Sequence, residues 1–221
     1  MFKLNGVQVM LGIDGCQSRY TRQGRIVQLR RADVLEGAIS ILDEYGLGDL
    51  TMRRLATLLH VQPGALYWHF PNKQTLLGAI ADHVLADVDA PARTVRWDEQ
   101  LREVAHRVRN ALLSHRDGAE LVAATYASRL VTNGVRERLA SICIRAGLTR
   151  ENAELTADTM LYYVLGQTVD EQSRMQMDSV GALTDEASPL FESPDPTSRF
   201  EFGLNLFVGG VRHELGAAER I

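Results

Sequence analysis

Ser114, His115 and Asp117 place a hydroxyl, an imidazole and a carboxylate within four residues, the side-chain types of a nucleophile, its base and an orienting acid. Triads of that kind are assembled from distant chain positions, and neighbouring residues of a helix point in different directions, so catalysis is not expected here. The HRD at 115–117 also echoes a kinase catalytic loop, but no Gly-rich loop, DFG or strand context accompanies it. The six histidines include no pair three or four apart, so the usual helical metal constellation is missing. Cys16 and Cys143 make no CxxC spacing, and Cys143 reads as a small buried residue. Neither an enzyme nor a cofactor or metal is indicated.

A different chemistry is written in VQPGALYWHFPNK, residues 61–73, where Tyr67, Trp68, His69 and Phe70 stand in a row between Pro63 and Pro71. Pro63 suits a first helical position, and Pro71 discourages helix before it, so the two prolines bracket a very short helix. At about 100° per residue Leu66 and Phe70 share one face and Trp68 lies nearly opposite it, outside the core. So short a helix cannot bury every side, and the segment is built to display side chains.

The elements around it must hold that display. DVLEGAISILDEYG from Asp33 repeats apolar residues at helical spacing (Val34, Ala38, Ile41, Leu42, Tyr45) and stops at Gly46. Thr51 is a good N-cap for MRRLATLLH, whose Leu55, Leu58 and Leu59 form the expected buried stripe. His60 and Val61 make a turn, the aromatic helix follows, and Asn72 caps a long helix from Lys73. Two short helices, a tight turn and a bracing helix make a helix-turn-helix. DAPART is a plausible linker, and further helices are expected at 97–115, 119–132, 134–146, from near Thr149 to Arg174, and over 197–215. Residues 175–196 break periodicity and read as a mobile loop. The fold class is all-α: an N-terminal helix-turn-helix module of three helices, then a helical-bundle ligand-binding and dimerisation domain. The expected division is 1–29 as a poorly ordered extension, 30–76 as the DNA-binding domain and 77–221 as the C-terminal domain.

Net charge is −4, but its distribution is uneven: residues 1–73 hold 9 Lys/Arg against 6 Asp/Glu, and residues 74–221 hold 15 against 22. A basic front end and an acidic body suit a chain whose first part alone meets phosphates. No run approaches the roughly 18 to 20 apolar residues of a membrane span, and the interrupted first segment makes a poor signal peptide. A cytoplasmic protein with no membrane partner is expected.

LTMRRLATLLHVQPGALYWHFPNKQTLL, residues 50–77, resembles the DNA-binding module of the tetracycline-repressor (TetR) family of dimeric bacterial transcription regulators almost position for position. ALLSHRDGA at 111–119, GLTRENA at 147–153, VLGQTVDEQ at 164–172 and FGLNLFVGG at 202–210 resemble the core domain of its tetracycline-repressor subgroup. The resemblance implies that the short helix lies in the major groove, with Pro63, Gly64, Ala65, Tyr67, Trp68 and His69 facing bases and backbone. Arg53 is then the residue for bidentate contact to a guanine. Thr51 reaches a phosphate besides capping its helix, Lys73 lies beside the backbone, and Arg30 and Arg31 are either a basic arm or a solvated pair.

The same resemblance implies that the second half is regulatory, and there the sequence departs from the subgroup. The position of the histidine that coordinates drug-bound magnesium carries Val122, the asparagine and phenylalanine that hold the drug fall on Val104 and Val108, and a further histidine becomes Tyr162. Thr125 and Asp170 keep a hydroxyl and a carboxylate, which alone would not hold the ion tightly. The expectation is an apolar pocket lined by Val104, Val108, Leu121, Val122, Thr125, Tyr162, Gln167 and Asp170; a packed bundle core made by the same residues is the alternative. Asp170 and Glu171 read as serving a ligand at the dimer interface or as a solvated pair. The expected function is a homodimeric repressor of palindromic operator DNA released by a small hydrophobic effector. Its dimer contact falls on helices 149–174 and 197–215, with Leu204, Phe207, Val208 and Val211 as the stripe. A tetracycline-responsive repressor with an altered metal site and a ligand-binding protein without DNA binding are the competing readings.

Overall fold

The computed structural model describes residues 18–20, 26–90, 94–132, 134–183 and 194–218. Helix α1 (Arg31–Tyr45) starts where the Arg30 N–H donates to the Asp33 carboxylate at 2.8 Å, and it ends at Gly46, whose φ of 89° few other residues tolerate. Its Val34, Ala38, Ile41 and Leu42 are buried as the spacing predicts, whereas Tyr45 is 41% exposed and lies under the Arg54 guanidinium at 3.7 Å. Stacking on a cation holds that ring at the surface.

Helix α2 (Met52–Leu58) is capped by Thr51, whose hydroxyl accepts from the Arg54 N–H at 3.1 Å. Leu55, Ala56 and Leu59 form its buried stripe; Leu58 is 46% exposed, because the last turn rotates it away from α1. His60, in the left-handed region at φ 53°, makes the turn into α3 (Pro63–Tyr67). Helix α4 (Lys73–Val84) follows Pro71, with the Asn72 side chain accepting from the Thr75 N–H at 2.8 Å. A 3₁₀ turn over Ala86–Asp89 leads away from α4, and residues 91–93 of the expected linker lie outside the described ones.

The second half is a bundle of α5 (Trp97–Leu113), α6 (Gly118–Ala127), α7 (Val135–Ala146), α8 (Arg150–Ser179) and α9 (Pro196–Ala218). Helix α8 continues five residues past Arg174, so 175–179 are helical rather than loop; a polar outer face hides the helical period at its end. Residues 184–193 of the expected loop lie outside the described ones. On α9, Phe200, Leu204 and Val208 are buried within their own chain.

Ahead of α1, β1 (Ser18–Tyr20) pairs antiparallel with β2 (Ile26–Gln28), Tyr20 opposite Ile26. Strands of three residues are too short to display an alternating pattern, so no strand was expected within 1–29. Leu29, just after β2, is buried at 4% exposure. Among the described residues no helix is long and apolar enough to cross a membrane.

Candidate nucleic-acid interface

Helix α3 separates its side chains as its length requires. Leu66 and Phe70 are 0% and 1% exposed, while Tyr67 and Trp68 are 47% and 74% exposed. Pro63 and Gly64 are also exposed, and nothing stands within 4 Å of where a Gly64 Cβ would be, so the start of α3 is open to close approach. Ala65 departs from the expected surface: it is 4% exposed, because it falls one residue before Leu66 on the side that α2 covers. Its methyl belongs to the core and not to the displayed face. His69 is half-buried.

On α2, Arg53 is exposed and forms no ion pair among the described residues, while its neighbour Arg54 is paired with Asp49. That difference leaves Arg53 the available guanidinium of α2. Thr51 is exposed but its oxygen already accepts from the Arg54 N–H. A phosphate contact would use the hydroxyl proton. Lys73 is half-buried at the first turn of α4. Arg31 does not extend as an arm: its guanidinium lies 4.4 Å from the centre of the Phe70 ring.

A polar clamp joins this unit to the bundle, and it is made by His115 and Asp117, two of the three residues of triad type, with Arg116 between them. The turn between α5 and α6 reaches the end of α1 three times. Asp117 accepts from the Leu47 N–H at 2.7 Å, His115 Nδ1 lies 3.0 Å from Asp43, and Arg116 donates to the Glu44 carbonyl at 3.1 Å. From the other side Gln176 of α8 donates to Asp117 at 2.5 Å. Gln172 accepts from the Ala119 N–H and donates to the His115 carbonyl, at 3.0 and 2.9 Å. Sequence reasoning missed this clamp; the signal was three consecutive polar residues at a helix–helix turn, weighed only as chemistry, set aside as such, and not considered as attachment.

In the bundle, Val104, Val108, Leu121, Val122 and Thr125 are all at most 2% exposed. Thr125 donates to the Leu121 carbonyl at 2.8 Å, so its hydroxyl is engaged within α6. Tyr162, Gln167 and Asp170 do not join them. They lie on the outward face of α8, because their positions fall opposite the inward Leu161, Val164, Leu165 and Thr168. Beside Val108 and Val122 lies an apolar cavity of about 10 Å³, completed by Tyr126, Leu161 and Leu165, residues the sequence reading did not select. That is room for about one water, not for an effector. Burial, with the Asp158 charge second, pushes the Tyr126 phenol up to about 12. Glu171 is neither solvated nor free for a ligand: Arg109 grips it with two hydrogen bonds at 2.8 and 2.6 Å.

Comparison with known proteins places this architecture. Residues 34–80 match the model for "Bacterial regulatory proteins, tetR family", and residues 90–215 match "Tetracyclin repressor-like, C-terminal domain". The chain belongs to the tetR family. Among curated tetR relatives, the class E tetracycline repressor protein of Escherichia coli is 32% identical over 86% of this chain and 94% of its own length. The crystal structure of Mycobacterium smegmatis BioQ is 48% identical, with a TM-score of 0.76 over 83% of this chain and 98% of that one. A crystal structure of BioQ with its double-stranded DNA operator is 45% identical, with a TM-score of 0.71 over the same shares. As a tetR-family member the chain is a DNA-binding transcriptional regulator of the repressor type, not an enzyme.

Proposed function

We propose that the chain is a homodimeric repressor that binds palindromic operator DNA through α2 and α3 and is released by a small apolar effector. The observation that carries the DNA reading is Trp68, 74% exposed beside Tyr67 while Leu66 and Phe70 hold the same short helix in the core. Large aromatics displayed on a helix anchored so firmly have a partner outside the chain. Arg53 reads a base, Pro63 and Gly64 allow close approach, and Thr51, Tyr67, His69 and Lys73 contact backbone.

The dimer surface we assign is the outward face of α8 and α9, within 149–174 and 197–215. Leu155, Tyr162, Phe202 and Leu206 are each at least 60% exposed there, beside a groove of about 380 Å³ between the two helices. Of the stripe expected from the sequence, Leu204 and Val208 face inward, while Phe207 and Val211 line this groove. Gln167 and Asp170 lie on the same outward side of α8, where a second subunit would meet them.

The effector site is the core around Val108, Val122 and Tyr126. With about 10 Å³ free, it admits a ligand only by opening, and a ligand that binds the opened bundle better shifts the population away from the DNA-binding state. Valines at 104, 108 and 122 supply no metal ligand, which favours an uncharged apolar compound over a tetracycline–magnesium chelate. The protein acts in the cytoplasm, where its operator is.

Titration of the purified protein against DNA from upstream of its own gene, with nonspecific competitor, tests the reading. A saturable, competitor-resistant shift reversed by apolar compounds and not by tetracycline with magnesium is the expected result. Failure to select any specific sequence from random DNA would overturn it.

A further inference from the structure

Helix α8 meets both the apolar cavity and the clamp, and it does so with one face. Leu161 and Leu165 line the cavity, Thr168 is fully buried a turn further on, and Gln172 and Gln176 continue the same row at helical spacing. Along the axis Gln172 lies about 10 Å and Gln176 about 16 Å beyond Leu165. Gln172 is 9% exposed and holds the α5–α6 turn at two places, donating to the His115 carbonyl at 2.9 Å and accepting from the Ala119 N–H at 3.0 Å. Gln176 adds its bond to Asp117 at 2.5 Å. A turn tied to one helix by three hydrogen bonds follows that helix when it shifts.

The other side of the turn grips the DNA-binding unit through Asp43, Glu44 and Leu47. Leu47 stands four residues before Thr51, the cap of α2, and six before Arg53, so a displacement of Leu47 tilts the helix that carries the exposed guanidinium. Hydrogen bonds weaken steeply with distance and angle, which makes the clamp either closed or open instead of gradually stretched. A cavity of about 10 Å³ admits a ligand only if its walls part, and α8 forms one of those walls. The bundle has a second attachment on α4, where Asp82 accepts from the Thr132 N–H at 2.8 Å and a Cβ on Gly78 would stand 2.7 Å from the Leu130 carbonyl. That attachment hangs on the segment after α6, not on the α5–α6 turn.

We infer that α8 is the lever by which effector binding releases DNA: parting the cavity draws Gln172 and Gln176 outward, the α5–α6 turn follows, and the clamp on Asp43, Glu44 and Leu47 opens. The inference rests on the reading of the cavity as the effector site of a DNA-binding regulator. The closed clamp keeps α2 in its DNA-reading position, the open one lets it tilt, and operator and effector each favour one of the two states.

The test replaces the effector by overpacking. Tryptophan at position 161 does not fit the cavity and pushes α8 outward. Operator affinity is measured for the full-length parent, L161W, Q172M/Q176L and the combination of all three, each first shown to melt cooperatively; V135F, from the α7 wall, and Q176L alone serve where a variant does not fold. L161W is expected to weaken operator binding by about 5- to 150-fold, the usual range of coupling between sites. In Q172M/Q176L, whatever its own affinity, adding the tryptophan is expected to change binding by no more than about twofold, because the displaced helix no longer pulls the turn. The same loss in both backgrounds would overturn the lever and assign the coupling to the α4 attachment at Gly78 and Asp82. An L161W protein with the parent's operator affinity would overturn the lever together with the cavity as effector site. A parent without any operator preference would sink the regulator reading, and the lever with it, so the three failures are told apart.

Discussion

The Asp117 carboxylate accepts the Leu47 N–H at 2.7 Å, holding the turn after α1 from a residue seventy positions away. The same carboxylate accepts from Gln176 of α8, so one side chain links the DNA-binding unit to the bundle. Both partners donate, and Asp117 itself sits in the left-handed region at φ 54°, which asparagine also tolerates. Asp117→Asn keeps the shape but leaves one acceptor oxygen for two donors. A loss of about 1 to 3 kcal/mol in unfolding free energy is expected. An unchanged denaturation midpoint would show that the clamp adds no stability.

The recognition element separates stability from binding. Trp68→Ala removes an exposed ring and is expected to change stability by no more than about 0.5 kcal/mol while weakening operator binding. Phe70→Ala removes a buried one and is expected to cost about 3 to 5 kcal/mol. Thermal melts and operator titrations of both variants check the pair; equal stability losses would mean that Trp68 is structural.

Arg53→Ala is expected to cost about 1 to 3 kcal/mol in specific operator binding, and much less on random DNA, because a bidentate base contact carries sequence information. Operator affinity equal to the parent's would rule out base reading by Arg53.

Arg109 and Glu171 pair with 9% and 11% of their side chains exposed, joining α5 to α8, while Arg109 also reaches Thr197 on α9 at 3.2 Å. Arg109→Ala leaves a nearly buried carboxylate without its cation. A destabilisation of about 3 to 5 kcal/mol is expected, measured by denaturant unfolding. A loss below about 1 kcal/mol would show that water reaches Glu171.

Asp98, at the first turn of α5, is held below its ordinary pKa of 3.8. Burial alone would raise it, but Arg96, the Glu99 N–H and Arg212 of α9 outweigh that effect. Because the folded pKa is the lower one, the ionised group stabilises the fold above the ordinary value, and that contribution is lost as pH falls through the folded pKa. Asp98→Asn is therefore expected to be less stable than the parent at neutral pH and to converge with it in strong acid. Thermal midpoints against pH read this directly, and parallel profiles would exclude it.

The sequence by itself determined the helices, their caps and the helix-turn-helix, because those rest on local rules. Thr51 and Asn72 cap, Pro63 begins and Gly46 ends, wherever the rest of the chain lies. It also placed Trp68 outside and Phe70 inside, since a helix of five residues has only one face to bury. What neighbours decide was not legible. Leu58 and Tyr45 came out exposed, Ala65 came out buried, and Leu204 and Val208 of the α9 stripe turned inward while Phe207 and Val211 line the groove beside α8, each according to which element packs against it. Tyr162, Gln167 and Asp170 share a helix with the inward Leu161 and Leu165, and only the packing of α8 against the bundle separates those faces. The clamp at His115, Arg116 and Asp117 needed the tertiary structure most, because hydrogen bonds between residues seventy positions apart leave no periodic trace in a sequence.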